Sequence, residues 1–236
     1  MRIVVYSIVA FLLLPMIVVV IASVTTTSYL VFPPQGFTLK WYAVAAANEE
    51  WVASLKTSAL IAAVAAVIAS VLGGLAAIGL TRYAVPAKSA LDAVFLSPLI
   101  LPSVAIGVAF IQAFAFVGIS RSFVTLVLGH VLITMPYVIR LVRASVAGVD
   151  VAFEKAASSL GASPLRTLWH VTLPLIRPGV LAGAVFAFIV SFDNVTVSVF
   201  LSTPYIIPLP IRIFSALGFP IQPDLIAISS MLIIAT

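Results

Sequence analysis

Seven acidic residues and two histidines are the whole stock of carboxylate and imidazole side chains in this chain. One acid, Asp193 in the run SFDN, stands well inside an apolar stretch, fifteen residues after Pro178. A carboxylate at membrane depth is costly and should face a bundle interior or a water-filled path. The chemistry it offers is attraction of a cation. Asn194 adds a neutral polar neighbour, and Phe192 and Phe200 offer aromatic faces to an ammonium group. A structural hydrogen bond or salt bridge to another helix or subunit is the competing reading, and the sequence leaves both open. Gln112 and His130 are lone polar groups in apolar runs, read as interhelical hydrogen bonds. Catalysis has no constellation here. There is no H-E-x-x-H, no G-x-S-x-G and no G-x-x-x-x-G-K-[ST] phosphate loop. With no cysteine there is no thiolate metal site and no disulfide.

The second informative stretch is EKAASSLGASPLRTLWHVTLP, residues 154–174. Residues 151–160 read as a short helix, and Gly161 suits a left-handed C-terminal cap. Ser163 is a good N-cap, and Pro164 falls at the first helical position, where its missing N–H costs nothing. The second helix is expected over about 165–170. It puts Leu165, Leu168 and Trp169 on one side and Arg166 and Thr167 on the other, and Leu173-Pro174 is expected to stop it. A mere connection needs no pair of capped helices. An exposed Leu/Trp face is best explained as a docking surface for another protein. Packing on its own bundle, or lying on lipid headgroups, is the plainer alternative.

The elements that must position these residues are set by composition. Of 236 residues, 63% are hydrophobic and 8% are charged, where a soluble domain carries about a quarter. The fold class is all-α integral membrane. The net charge of +5 is scattered between apolar runs, forms no patch for nucleic acid, and reads as an orientation signal. Spans are expected at about 3–24, 57–81, 93–118, 122–142, 178–201 and from 222 to 236. The last uncharged run, 225–236, is shorter than the about 20 residues a crossing takes, so the sixth helix is expected to be incomplete. The first span is long, has one Arg before it and has no clear small-x-small site before SVTTTS. It is read as a signal anchor, not a cleaved signal peptide. With the N-terminus in the cytoplasm, Arg2, Arg82, Lys88, Arg140, Arg143, Lys155, Arg166 and Arg177 all fall inside. Small residues fill the second span, among them Ala62, Ala66, Ala69, Gly73 and Gly74, and place it inside the bundle. Pro98, Pro102 and Pro136 are candidate bends.

Residues 154–174 resemble the signature loop of the membrane-spanning subunits of bacterial ABC importers, E-A-A-x-x-x-G, nine residues, then I-x-L-P. Ala156, Ala157, Gly161, Val171, Leu173 and Pro174 stand at those spacings. Lys155 stands where the family has its glutamate, and Glu154 comes one residue early. The resemblance therefore assigns Glu154 no specific ionic role. FTLKWYAVA, LSPLILPSVAIGVAF and the region from SFDN onward extend the resemblance to the polyamine and opine branch. It implies a six-helix type I permease fold in a single domain over 1–236, with a cytoplasmic coupling loop at about 144–177. In that loop Glu154, Lys155, Ala156, Ala157, Gly161, Ser163, Pro164, Leu165, Leu168, Trp169, Leu173 and Pro174 engage an ATPase subunit. It also implies a bacterial inner-membrane location, embedded in lipid. The partners implied are a cytoplasmic ATPase dimer, a second and different permease chain, and an external substrate-binding protein. The chain itself binds no cofactor, and ATP with magnesium belongs to the partner ATPase. An ion-gradient-driven secondary transporter is the alternative, since it too places a charge near midplane.

Overall fold

The computed structural model describes residues 1–29, 31–220 and 222–235. The chain divides into two compact units, Thr57–Pro210 and Met1–Lys56 with Ile211–Thr236. Helix α3, Glu49–Arg82, contributes to both.

In the larger unit, helix α6, Phe123–Ala147, is the centre. Ser122 caps it in a reciprocal box with Thr125. Helix α6 packs along helix α8, Pro164–Phe192, and the buried face of α3 completes the core. Small residues set the spacing. A Cβ at Gly73 of α3 would meet Val138 at 3.2 Å, and one at Gly183 of α8 would meet its Cα at 3.3 Å. Glycine lets backbones approach this closely in lipid, where close packing replaces the hydrophobic drive. The second span was expected inside the bundle. Instead only its Ala62, Ala65, Ala69 and Ala77 side is buried, while Val67, Val71 and Leu75 are exposed.

Two expected spans are broken. The run at 93–118 is no single helix. Helix α4, Lys88–Leu96, passes through a 3₁₀ turn at Ser97–Leu99 and meets helix α5, Ser103–Phe116, at 106°. Pro98 and Pro102 are the cause. A proline removes a helical bond, and Pro102 itself is extended (φ −57°, ψ 127°). An ion pair from Arg143 to Asp92 fixes α4 on α6. The run at 178–201 ends early, at Phe192, and resumes as helix α9, Thr196–Leu201. It also begins early, because Leu173-Pro174 does not stop the preceding helix. The chain stays helical from Pro164 through a π-turn at Leu168–Thr172. Proline crowds the carbonyl four residues back, and a widened turn just before Pro174 is one way a helix absorbs that. Residues 144–177 are therefore not all loop. Helix α6 runs on to Ala147, and α8 has already begun at Pro164.

In the smaller unit, helix α1, Arg2–Ala22, carries exposed apolar side chains along most of its length. Helix α2, Lys40–Ala47, packs on helix α11, Pro223–Ala235. Tyr42 Oη bridges Ser23 Oγ at 2.5 Å and Ser230 Oγ at 2.9 Å. Trp51 Nε1 donates to Asp224 at 3.1 Å, and Trp41 Nε1 to the Thr25 carbonyl at 2.9 Å. The side chain of Asn48 caps α3, accepting from the Glu50 N–H at 2.9 Å, which starts that helix two turns before the expected 57. Arg212, on helix α10, Leu209–Ala216, bonds Ser54 and pairs with Glu50. Among the described residues four helices are long and apolar enough to cross a membrane, or five if the bent α4–α5 pair counts as one. Pro223–Ala235, the expected sixth, has 13 residues.

Candidate functional site

The loop between α6 and α8 is built by its caps. Asp150 Oδ1 accepts the Ala152 N–H at 2.8 Å and opens helix α7, Val151–Ser159. The helix closes in a Schellman motif. The Gly161 N–H donates to Ser158 O and the Ala162 N–H to Ala157 O, both at 3.0 Å. Gly161 has φ +83°, which an L side chain adopts only with strain. Ser163 Oγ then accepts the Arg166 N–H at 3.4 Å, with Pro164 at the first helical position. The order of caps is the one expected.

The charges are arranged otherwise. Glu154 and Ala157 are the half-buried positions of α7, and every other residue of that helix is exposed. Arg82, at the end of α3, donates from Nε to Glu154 Oε1 at 3.2 Å and from Nη2 to Val149 O at 2.8 Å. Thr172 Oγ1 donates to the same Glu154 oxygen at 3.0 Å. The two ionic side chains are only 11% and 18% exposed. Glu154 therefore knots α3, α7 and α8 together, against the reading that gave it no ionic role. One residue is about 100° of helix, so an acid at 154 faces inward where one at 155 does not. Lys155 is exposed, as is Ala156.

The apolar face is also redistributed. Leu165 and Trp169 are exposed, four residues apart on one helix. Leu168, expected with them, packs on the core, as does Leu173. Thr167, expected on the polar side, is buried. Phe153 at 56% and Leu160 at 89% exposure join Leu165 and Trp169. Neither was singled out beforehand, although Phe153 lies beside inward Glu154 and must point elsewhere. Pro174 is exposed on α8.

Asp193 lies at the end of α8, not within a span, and is exposed. Asn194 Oδ1 accepts the Val197 N–H at 2.8 Å and starts α9, so Asn194 is a cap first. The break is pinned from beneath by His130, 1% exposed on α6. Its Nδ1 lies 2.7 Å from Ser191 Oγ and its Nε2 3.1 Å from Ser198 Oγ. Hydroxyls donate or accept, so both ring nitrogens are satisfied in either tautomer. The interhelical bond expected of His130 is thus a double one. Phe192 stacks on Phe188 at 5.8 Å between centroids, and Phe200 lies against Gly107 of α5. The two rings are committed to separate partners.

Residues 69–201 match the family model described as binding-protein-dependent transport system inner membrane component. The chain belongs to that family. It is 30% identical over 228 residues to the spermidine/putrescine transport system permease protein PotC of Escherichia coli, covering 97% of this chain and 86% of that one. It is 29% identical over 230 residues to the putrescine transport system permease protein PotI of Escherichia coli, covering 94% and 82%. A crystal structure of a bacterial ABC transporter that imports the acidic polysaccharide alginate shares the fold, with a TM-score of 0.77 and 16% identity over 99% of this chain and 90% of that one.

Membership makes the chain a multi-pass membrane permease subunit of the ABC importer class, a non-catalytic transport component. The ion-gradient-driven carrier reading falls with it. The loop just described lies inside the matched region, as does the His130-pinned break.

Proposed function

We propose that this chain forms the translocation path for a small, polyamine-like cation, and that residues 154–174 couple it to a cytoplasmic ATPase dimer. The observation that carries the coupling role is the exposed set Phe153, Leu160, Leu165 and Trp169 on a loop held rigid by the Arg82–Glu154–Thr172 knot. Rigidity matters because a lever transmits displacement only if it does not bend. Two packings of the bundle then need differ by only a few kcal/mol, and the ATPase biases them by binding each differently. ATP and magnesium stay with that partner. A second, different permease chain completes the path, and an external binding protein delivers the solute. The N-terminus lies in the cytoplasm, as the Lys/Arg distribution favours, and residues 1–236 act as one permease domain. The polyamine assignment rests on likeness to PotC and PotI and on the exposed carboxylate of Asp193.

The test is ATPase activity of the whole importer in lipid, stimulated by loaded binding protein, for Gly161→Glu and Leu165→Glu. Stimulation should collapse while the second permease stays bound. Stimulation at wild-type level in both variants, with the complex intact, sinks the coupling role. Transport of neutral sugars in preference to diamines sinks the substrate assignment alone.

A further inference from the structure

The inner side of the loop borders a groove, which shares Lys155 and Leu165 with the segment proposed for coupling. Its volume is about 920 Å³, and it lies between the Arg82 end of α3 and the loop. That is within the range of ligand sites. Arg82, Tyr83, Lys155 and Thr167 stand on its polar wall together with the Glu154 carboxylate. Leu75, Ile78 and Leu168 also line a second, apolar slot of about 240 Å³. The slot continues along α3 past Gly74 to Ser70, facing Trp169 and Val180 of α8.

Three observations ask for an occupant. Thr167 is 7% exposed, lines the groove, and its Oγ1 has no hydrogen-bond partner among the described residues. A buried hydroxyl without a partner is unfavourable and rare. Ser70 Oγ shares that state in the slot wall. Next, the floor is open, since a Cβ added at Gly74 or Gly79 would meet nothing within 4 Å. Last, Arg82 is shared by Glu154 and Val149, while Lys155 makes no ion pair among the described residues. With Glu154 set against Arg82, Lys155 leaves one positive charge in excess at the polar end, and apolar side chains line the other end. Tyr83, 63% exposed just past the apolar run of α3, marks the headgroup level.

We propose that groove and slot together bind one anionic phospholipid of the surrounding bilayer. Its phosphate lies against Lys155 and the Thr167 hydroxyl, and one acyl chain lies over Gly79 and Gly74. A free phosphate compound would use only the polar end and leave the slot without purpose.

The experiment is native mass spectrometry of the intact importer from nanodiscs containing phosphatidylglycerol and phosphatidylcholine. One phosphatidylglycerol should be retained per copy of this chain. Gly74→Leu fills the slot with a better helix former and should remove it. Lys155→Gln, at an exposed position, should weaken retention about fivefold. Wild-type retention in either variant overturns the proposal. So does equal displacement by glycerol 3-phosphate, which marks a free-anion site. A Gly79→Cys crosslink to the second permease, with no lipid retained, also overturns it and makes the groove a subunit interface.

Discussion

Two places interrupt the apolar helices with polar residues, the loop around Glu154 and the break around Asp193, and they are wired in opposite senses. At the loop the charge is turned in and the hydrophobes out. Glu154 is occupied by Arg82 and Thr172, while Leu160 and Trp169 stand exposed. At the break an uncharged polar knot is turned in and the charge out. His130 holds Ser191 and Ser198, while the Asp193 side chain makes no hydrogen bond or ion pair among the described residues. A carboxylate whose oxygens are taken builds structure, and one whose oxygens are free is available to a cation. Burial explains the division, because a charge withdrawn from water needs a partner.

The largest effect is expected at the exposed apolar side of the loop. Trp169→Ala should weaken docking of the ATPase by at least 2 kcal/mol, about thirtyfold, as truncated interface tryptophans do. Co-purification yield and stimulated ATPase activity read this out, and an unchanged complex would return Trp169 to the lipid. Next comes the inward knot at the break. His130→Leu leaves two serine hydroxyls without the ring and should cost about 1–3 kcal/mol of stability. A thermal-unfolding midpoint equal to wild type would show that the serines rebond within their own helices.

The inward knot at the loop is a smaller effect. A double-mutant cycle of Arg82→Met with Glu154→Gln should give a coupling of about 1 kcal/mol for a pair this close to the surface. Additive losses would mean that Glu154 is held by Thr172 alone. The smallest effect belongs to the free charge. Asp193→Asn should leave folding unchanged and raise the transport KM for a diamine a few-fold, about 0.6–1 kcal/mol in a wet path. An unchanged KM in assays at low salt, where screening is weakest, removes Asp193 from the path.

Much of the loop is legible in the one-dimensional chain because caps are local. Ser163, Pro164 and Gly161 act within a few residues of themselves, and the structure keeps each in its expected place. The breaks are less legible. Pro98 and Pro102 announce a bend, yet nothing local says that it reaches 106°. Pro174 suggests a stop, yet the helix passes it. Packing of Leu173–Phe192 against α6 outweighs one missing bond, and the π-turn relieves the crowding. Asp193 reads as mid-span because an uncharged run has no visible end. Asn194, a good cap residue, was the available sign.

Composition was enough to show the membrane class, and spacing along the chain was enough to show the capped loop, while the importer family entered by resemblance. It took the packed chain to show that Glu154 pairs with an arginine 72 residues earlier, that His130 joins two serines 61 and 68 residues away, and that Thr167 is buried while Phe153 is bare. Those outcomes depend on which helix faces meet. In a chain this uniformly apolar, hydrophobic patterning does not tell one face from another, and close approach of small residues settles it.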